Sequence, residues 1–349
     1  RILRSKDKTP LLSQVCGFRP PSALRIHFYL MGLYLAKRLL SLLLTLLFTS
    51  IVVFGVLEVL PGNAAQVMLG PDASPEAVAE LSRQLGLHLP VHTRYLDWAG
   101  GLLQGDMGIS HAYSSPVWPL IAERLALTIP LAVFAMLITS VLALVIGIYA
   151  ASRHNKPADI AVMGISQIGM AVPNFWFAIV LILVFSVQLQ WFSAGGFDGW
   201  RAGFWSGLQS LLLPAIALAV VQTAILARIT RSSVLEVMQE DFVRTARARG
   251  LSERATLWRH VLRNAMIPVL TVMGLQFANL LAGTIVVENV FFLPGLGRLI
   301  FQSIANRDLV VVRNCVMLLA AMVIVVNFVV DVLYAAIDPR LRHREGSSQ

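Results

Sequence analysis

Residues 125–152 read LALTIPLAVFAMLITSVLALVIGIYAAS and contain no charged side chain. A helix needs about 20 mostly apolar residues to cross the ~30 Å hydrocarbon core of a bilayer, and this run exceeds that length. Working outward, five more runs of the same character lie at about Leu39–Leu57, Ile160–Phe192, Ala202–Ala227, Asn264–Val287 and Asn314–Ile337. The expectation is an all-α membrane protein with six transmembrane helices. The run Ile160–Phe192 is too long for one straight crossing and contains Pro173. Proline removes a backbone donor and clashes with the preceding turn, so a kinked or tilted helix is expected there.

Composition agrees with this reading. Of 349 residues, 57% are apolar and only 13% charged, against roughly 25% charged in soluble domains. Mean hydropathy is +0.72. These values exclude a soluble globular enzyme and a disordered chain. The net charge of +9 is not a nucleic-acid signal, because no aromatic-basic interleaving or nucleic-acid motif accompanies it. It follows the topology instead. With the N-terminus inside, the cytoplasmic pieces 1–38, 152–159, 228–263 and 338–349 hold 21 of the 28 Lys and Arg but 8 of the 19 acids. That asymmetry obeys the positive-inside rule and places both termini in the cytoplasm. Cys16 and Cys315 share no metal-ligand spacing, so neither a disulfide framework nor a zinc site is expected.

The chain divides along these lines. Residues 1–30, with Pro10, Pro20 and Pro21 and no periodicity, read as a disordered or upstream extension, and Met31 as a natural start. Residues 31–60 form the first span, an uncleaved anchor because Glu58-Val-Leu-Pro-Gly62 follows where a small-residue cleavage site would be needed. Residues 61–124 make a long outer loop. Within it, Ser74 as N-cap, Pro75 at the first helical position, Val78, Leu81 and Leu85 on one face and Gly86 as stop define a short amphipathic helix. His88 and His92 are four apart, but Leu89-Pro90 breaks the helix between them, so they are not expected to share a metal. Residues 125–342 carry the other five spans and the inner loop 228–263, and 343–349 are a tail.

That inner loop, Arg231 to Pro268, reads RSSVLEVMQEDFVRTARARGLSERATLWRHVLRNAMIP. Val234, Met238, Phe242 and Ala246 recur every four residues and predict one apolar face on a helix closed by Gly250. Ser252 and Glu253 then open a second helix carrying Leu257, Trp258, Val261 and Leu262. A solvated hairpin that only sets topology needs no apolar stripe. A stripe outside the bilayer calls for a partner surface or the membrane interface, and a protein-docking element is the expectation.

The segments Asp241–Glu253 and Arg259–Pro268 resemble the coupling loop of bacterial ABC importer permeases, specifically the dipeptide, oligopeptide and nickel group. Further pieces match in order: Leu60-Pro61-Gly62-Asn63, Leu69-Gly70-Pro71, Gln84 to Leu87, Gly101 to Gly108, Leu189 to Gly196, Pro294 to Gly297, and Asp331 to Arg340. The likeness covers about 32–342. Two departures from the general pattern are shared with the peptide subgroup: Thr245-Ala246-Arg247 replaces Glu-Ala-Ala before the glycine, and Leu262-Arg263 replaces a Leu-Pro pair after it. Asn63 stands where that subgroup often has aspartate.

The resemblance implies a type I ABC importer permease fold in the bacterial inner membrane. It also implies a second homologous permease, two cytosolic ATPase subunits and a periplasmic substrate-binding protein as partners. Asp241, Arg244, Thr245, Ala246, Arg249, Gly250, Leu251 and Glu253 would form the ATPase-coupling loop. Of these, Ala246 and Gly250 would allow close approach, and Asp241, Arg244 and Arg249 would supply polar contacts. Pro294, Gly295, Gly297 and Arg298 are the candidate outer gate or binding-protein contact.

The chain offers no catalytic constellation and no phosphate-binding loop, since Lys6, Lys8, Lys37 and Lys156 all lack that context. ATP and Mg would therefore belong to the partner subunits, with no cofactor or metal in this chain. Peptides are the expected cargo, with nickel or glutathione as alternatives for the same machine. Two other classes are an ion-coupled secondary carrier, against which the paucity of charge in the spans argues, and a membrane-anchored scaffold. Asp331, near the inner end of the last span, reads as functional or as paired with a loop arginine. Glu58 and Glu288 read as outer boundary residues.

Overall fold

A computed structural model describes residues 21–59, 64–70, 72–84, 86–197 and 199–337. Among them, five helices are long and apolar enough to cross a membrane, and a sixth crossing is made if a sharply bent helix pair counts as one. The first is α1 (Pro21–Val59), apolar from Leu35 onward. Three short helices follow, α2 (Ala64–Leu69), α3 (Pro75–Gln84) and α4 (Val91–Gln104). A two-residue antiparallel pair, β1 (Ile109–Ser110) with β2 (Ser115–Pro116), then leads into the long α5 (Val117–Ser152). Next come the bent pair α6 (Pro157–Ala171) and α7 (Asn174–Leu181), the latter continued by a π-helical turn over Ile182–Gln188. The remaining elements are α8 (Phe204–Met238), α9 (Asp241–Ala248), α10 (Glu253–Thr256), α11 (Leu262–Val290), α12 (Leu296–Ala305) and α13 (Leu309–Ile337).

Several expectations are corrected. Residues 21–30, read above as part of a disordered extension, are helical and continuous with α1. Pro21 suits the first helical position, where its missing N–H costs nothing. Residues 1–20 and the tail 343–349 lie outside the described residues. The third run is not one kinked helix: α6 and α7 meet at 99°. Val172 and Pro173 both adopt extended backbone between them, as the steric demand of proline on its predecessor dictates. In the outer loop, Ser74 Oγ caps α3 by accepting from Ala77 N at 3.2 Å, and Gly86 sits at φ +69 just past its end. Leu85 lies outside the described residues.

The core is organised around α8. Its buried positions are mostly small: Gly207, Ala215, Ala217, Ala219, Ala224, Ala227 and Ser233 among them. In lipid, helices gain nothing from hiding apolar surface from each other, so association depends on close van der Waals approach, which small residues permit. Gly147 of α5 shows how close. A Cβ there would lie 2.7 Å from both Ala227 O and Thr230 Cβ of α8. Leu127, Leu131, Leu211, Leu218 and Leu280 fill the outer half of the same α5–α8–α11 core.

The outer loop is fastened to α13. Asp308, just before that helix, accepts from Ser110 Oγ at 2.5 Å, Ala112 N at 3.1 Å and Val311 N at 3.2 Å. Asn314, one turn further in, accepts from Trp98 Nε1 at 3.0 Å and donates to Met107 O at 2.7 Å. Asp331 pairs with Arg38 of α1 at 2.7 Å. The expected arginine partner is therefore on a neighbouring span rather than in the inner loop. Gly147→Val should lower stability by about 1–3 kcal/mol through overpacking of the α5–α8 contact. A lowered unfolding midpoint in detergent would register it, and an unchanged midpoint would contradict the contact.

Candidate coupling hairpin and outer latch

At the inner end, α8 stops at Met238. Gln239 and Glu240 turn the chain, and α9 starts at Asp241. The predicted single helix from Val234 to Gly250 is thus two helices, and the four-residue spacing does not carry across the turn. Val243 and Ala246, not Phe242, are the buried residues of α9. Val243 packs with Val234 of α8, Ala151 of α5, and Val261, Leu262 and Ala265 at the start of α11. Gly250 ends the hairpin arm at φ +88, a left-handed conformation that side-chain-bearing residues rarely adopt. Ser252 Oγ accepts from Ala255 N at 3.3 Å and caps the next helix as expected.

The predicted coupling residues are brought together on one arm. Asp241 and Arg244 are exposed and 3.5 Å apart. Thr245 Oγ1 donates to Asp241 O at 2.9 Å. Arg249, Gly250 and Glu253 are exposed, Leu251 is half-buried, and Ala246 is turned inward. Two large apolar side chains face outward beside them, Phe242 at 42% and Trp258 at 67% exposure. A cleft of about 450 Å³ opens between Phe242, Arg259, His260, Arg263 and Asn264. Helix α10 runs through a π-helical turn, Leu257–Val261, directly into α11, so Glu253–Val290 forms a continuous 38-residue helix, roughly 57 Å long at 1.5 Å per residue. The hairpin is the end of that helix.

A second tie, unmarked in the sequence reading, stands behind the hairpin. Asp159, at the start of α6, is buried and receives both Arg231 Nε at 2.5 Å and Arg231 Nη2 at 2.7 Å. Asn155 N donates to the same carboxylate at 3.0 Å. This fork joins the start of α6 and the short loop before it to α8 about two turns before the hairpin. An acid two residues after Pro157, opening an otherwise apolar run, was the available signal.

The outer end of the same long helix carries Glu288, which is fully buried and not a boundary residue. Its Oε1 accepts from Thr128 Oγ1 of α5 at 2.6 Å, and its Oε2 from Gly297 N at 2.7 Å. Thr128 Oγ1 in turn accepts from Leu296 N at 2.9 Å. The loop Phe291–Gly295 thus folds over the carboxylate, and α12 begins against it. Both glycines are obligatory for steric reasons. A Cβ on Gly295 would overlap the Glu288 carboxyl group, and one on Gly297 would strike Ile285 backbone and Glu288 Oε2. Of the four predicted outer residues, Gly295 and Gly297 are therefore buried latch positions. Arg298 is half-buried, donates to Phe292 O at 2.5 Å and lies over the exposed Phe292 ring. Pro294 O accepts from Arg124 at 3.4 Å.

With this geometry in view, residues 143–343 match the family described as binding-protein-dependent transport system inner membrane component. Residues 31–132 match the N-terminal model of such membrane components. The chain belongs to this family. It is a multi-pass inner-membrane permease of an ABC importer. The permease is 38% identical to the di/tripeptide transport system permease protein of Pseudomonas aeruginosa, over 89% of this chain and 99% of that one. It is 42% identical to the glutathione transport system permease protein of Salmonella choleraesuis, again over 89% and 99%. A solved chain of the methionine ABC transporter MetNI is 18% identical, with a TM-score of 0.48 over 64% of this chain and 94% of that one.

The latch yields a coupled prediction. Gly295→Ala should destabilise the permease, and the same substitution should cost much less in a Glu288→Ala background, where the methyl group finds space. A coupling of about 0.5–3 kcal/mol is expected for such contacting residues, read as unfolding midpoints of the four proteins in detergent. Strict additivity would refute the contact. Separately, Arg231→Ala should lower stability by leaving the buried Asp159 with only the Asn155 N–H and the His154 ring 3.5 Å away. Arg231→Ala combined with Asp159→Ala should recover much of that loss in the same assay.

Proposed function

We propose that the permease is one of two homologous membrane subunits of an ATP-driven importer for small peptides, which a periplasmic binding protein delivers. Two cytosolic ATPase subunits bind ATP and Mg and supply the work, and this chain hydrolyses nothing. The observation that carries the reading is the exposed α9 arm, tied to α5, α8 and α11 and fused to a helix that reaches the outer latch. A partner that seats on Phe242, Arg244 and Arg249 and moves gains a handle on three core helices at once. Because packed helices shift between discrete arrangements rather than deforming smoothly, such a push favours rigid-body switching between inward-open and outward-open states. The peptide assignment leans on the names of the relatives at 38% and 42% identity. Glutathione, itself a tripeptide, falls within the same cargo class.

The test is uptake of radiolabelled di- and tripeptides, glutathione and nickel by cells lacking other importers for these solutes, with the permease expressed beside its co-purifying partners. Peptide uptake should require ATP, survive collapse of proton and sodium gradients, and disappear in Gly250→Trp while the protein still inserts. Uptake that follows an ion gradient without ATP would instead establish a secondary carrier. Normal uptake in the Gly250 variant would remove the coupling role from this arm.

A further inference from the structure

A cavity of about 580 Å³ lies on the side of the outer loop, between the outer end of α1, helix α4, the loop before β1 and the first turns of α13. Its volume is in the range of small-molecule sites, roughly 300–1,000 Å³. Three arginines line it, but they are not equivalent. Arg94 is neutralised by an ion pair with Glu58 and also donates to Leu89 O at 3.2 Å. Arg307 is exposed. Arg313, on α13, has no carboxylate or carbonyl hydrogen-bonded to it among the described residues, and its Nε is buried without a partner.

What holds Arg313 is aromatic. Its guanidinium carbon lies 4.8 Å from the Trp98 ring centre and 5.2 Å from that of Phe54. The two rings are stacked at 5.7 Å. They are fixed in turn by Trp98 Nε1 donating to Asn314 and by Tyr95, which packs edge-on against Phe54. Ring faces steady a guanidinium by attraction to its charge while leaving its N–H groups unbonded. A buried donor without an acceptor is costly, and the planar fork of arginine matches a carboxylate with two parallel hydrogen bonds. Two exposed acids, Asp97 and Asp106, line the same cavity. Glu58, the carboxylate that acts on Arg313 through space, is already held by Arg94. A pre-oriented cation without a hydrogen-bonded acceptor, with peripheral carboxylates around one small space, suits a zwitterion.

We propose that this cavity is a cargo site in which Arg313 receives the C-terminal carboxylate of an incoming peptide. The ligand class rests on the peptide reading above; the oxyanion chemistry of the cavity does not. The test uses the permease with its co-purifying partners in phosphatidylcholine nanodiscs, the binding protein omitted. Saturation-transfer NMR follows trialanine and trialanine amide. Trialanine should give a signal, and its amide should bind more weakly by on the order of tenfold. Arg313→Gln should abolish the difference, and Arg313→Lys, which keeps the charge but not the fork, should retain part of it.

Equal binding of acid and amide by the unaltered transporter overturns the proposal, and needs no variant to fold. So does an Arg313→Gln protein that discriminates as before. A phospholipid retained by the unaltered transporter and lost in Arg313→Gln, seen by native mass spectrometry, would overturn it in favour of a lipid headgroup site. If cells import peptides but this signal is absent, the site fails and the importer reading stands. If cells import none and the Arg313-dependent signal persists, the cargo reading fails and the carboxylate site stands.

Discussion

A carboxylate buried among spans must find its hydrogen-bond partners in the protein, because lipid offers none. Glu288 meets that demand by recruiting three parts of the chain: a hydroxyl from α5, the backbone N–H of Gly297 and, through Thr128, the N–H of Leu296. Each recruitment constrains the sequence around it. The N–H groups at the start of α12 would otherwise be unsatisfied, and reaching the carboxylate forces the chain so close that neither Gly295 nor Gly297 can carry a side chain. The motif Pro294-Gly-Leu-Gly297 is therefore the backbone solution to covering one acid, and the position of α12 and the outer loop above it follows.

The same helix that holds this acid begins in the hairpin that carries α9 and α10. One end of Glu253–Val290 is solvent-facing and carries an exposed arm; the other is locked by a satisfied buried network. Between hairpin and latch this helix carries a π-helical turn at Leu257–Val261 and Pro268, so its hydrogen-bond ladder is interrupted near the inner end and unbroken by proline beyond it. Its neighbours decide where a displacement goes. Near the hairpin, Val243, Val261 and Ala265 contact α5 and α8, and the Arg231–Asp159 fork extends the tie to α6. A displacement of the arm would in this way be shared among four helices.

The spans were legible because hydropathy over 20 residues is a property of composition, and composition needs no partner to be read. The break at Pro173 was legible for a similar reason, since proline acts on its own backbone; its angle of 99° was not. Charge marks where a segment leaves the lipid and not where its helix ends. Helix α8 runs from the span through Arg228 and Arg231 to Met238, because charged residues leave lipid without leaving the helix. The stripe Val234, Met238, Phe242 and Ala246 misled because periodicity assumes one continuous helix, and the turn at Gln239-Glu240 resets the phase. Glu288 and Asp159 were hidden for a different reason. Their partners are distant in sequence, Thr128 and Arg231, and only the packing of α5 on α11 and of α6 on α8 brings them within reach.

The contacts differ in how readily they can be broken, and this constrains where a transport cycle can bend the molecule. Exposed pairs such as Asp241–Arg244 contribute about 0–1 kcal/mol, whereas separating a buried charge from its partners costs several. The Glu288 latch and the Arg231–Asp159 fork are of the second kind, so α5, α11 and α12 at the outer end, and α6 and α8 at the inner end, should travel as joined bodies. Between α6 and α7 the chain has only the extended Val172-Pro173 link, with no helical hydrogen bonds to break. Both helices nonetheless pack along α8, and α7 also meets α11, so a change of that angle costs packing as well as backbone dihedrals. The bend is therefore held from outside, by the core that α8 organises, and not by the link itself.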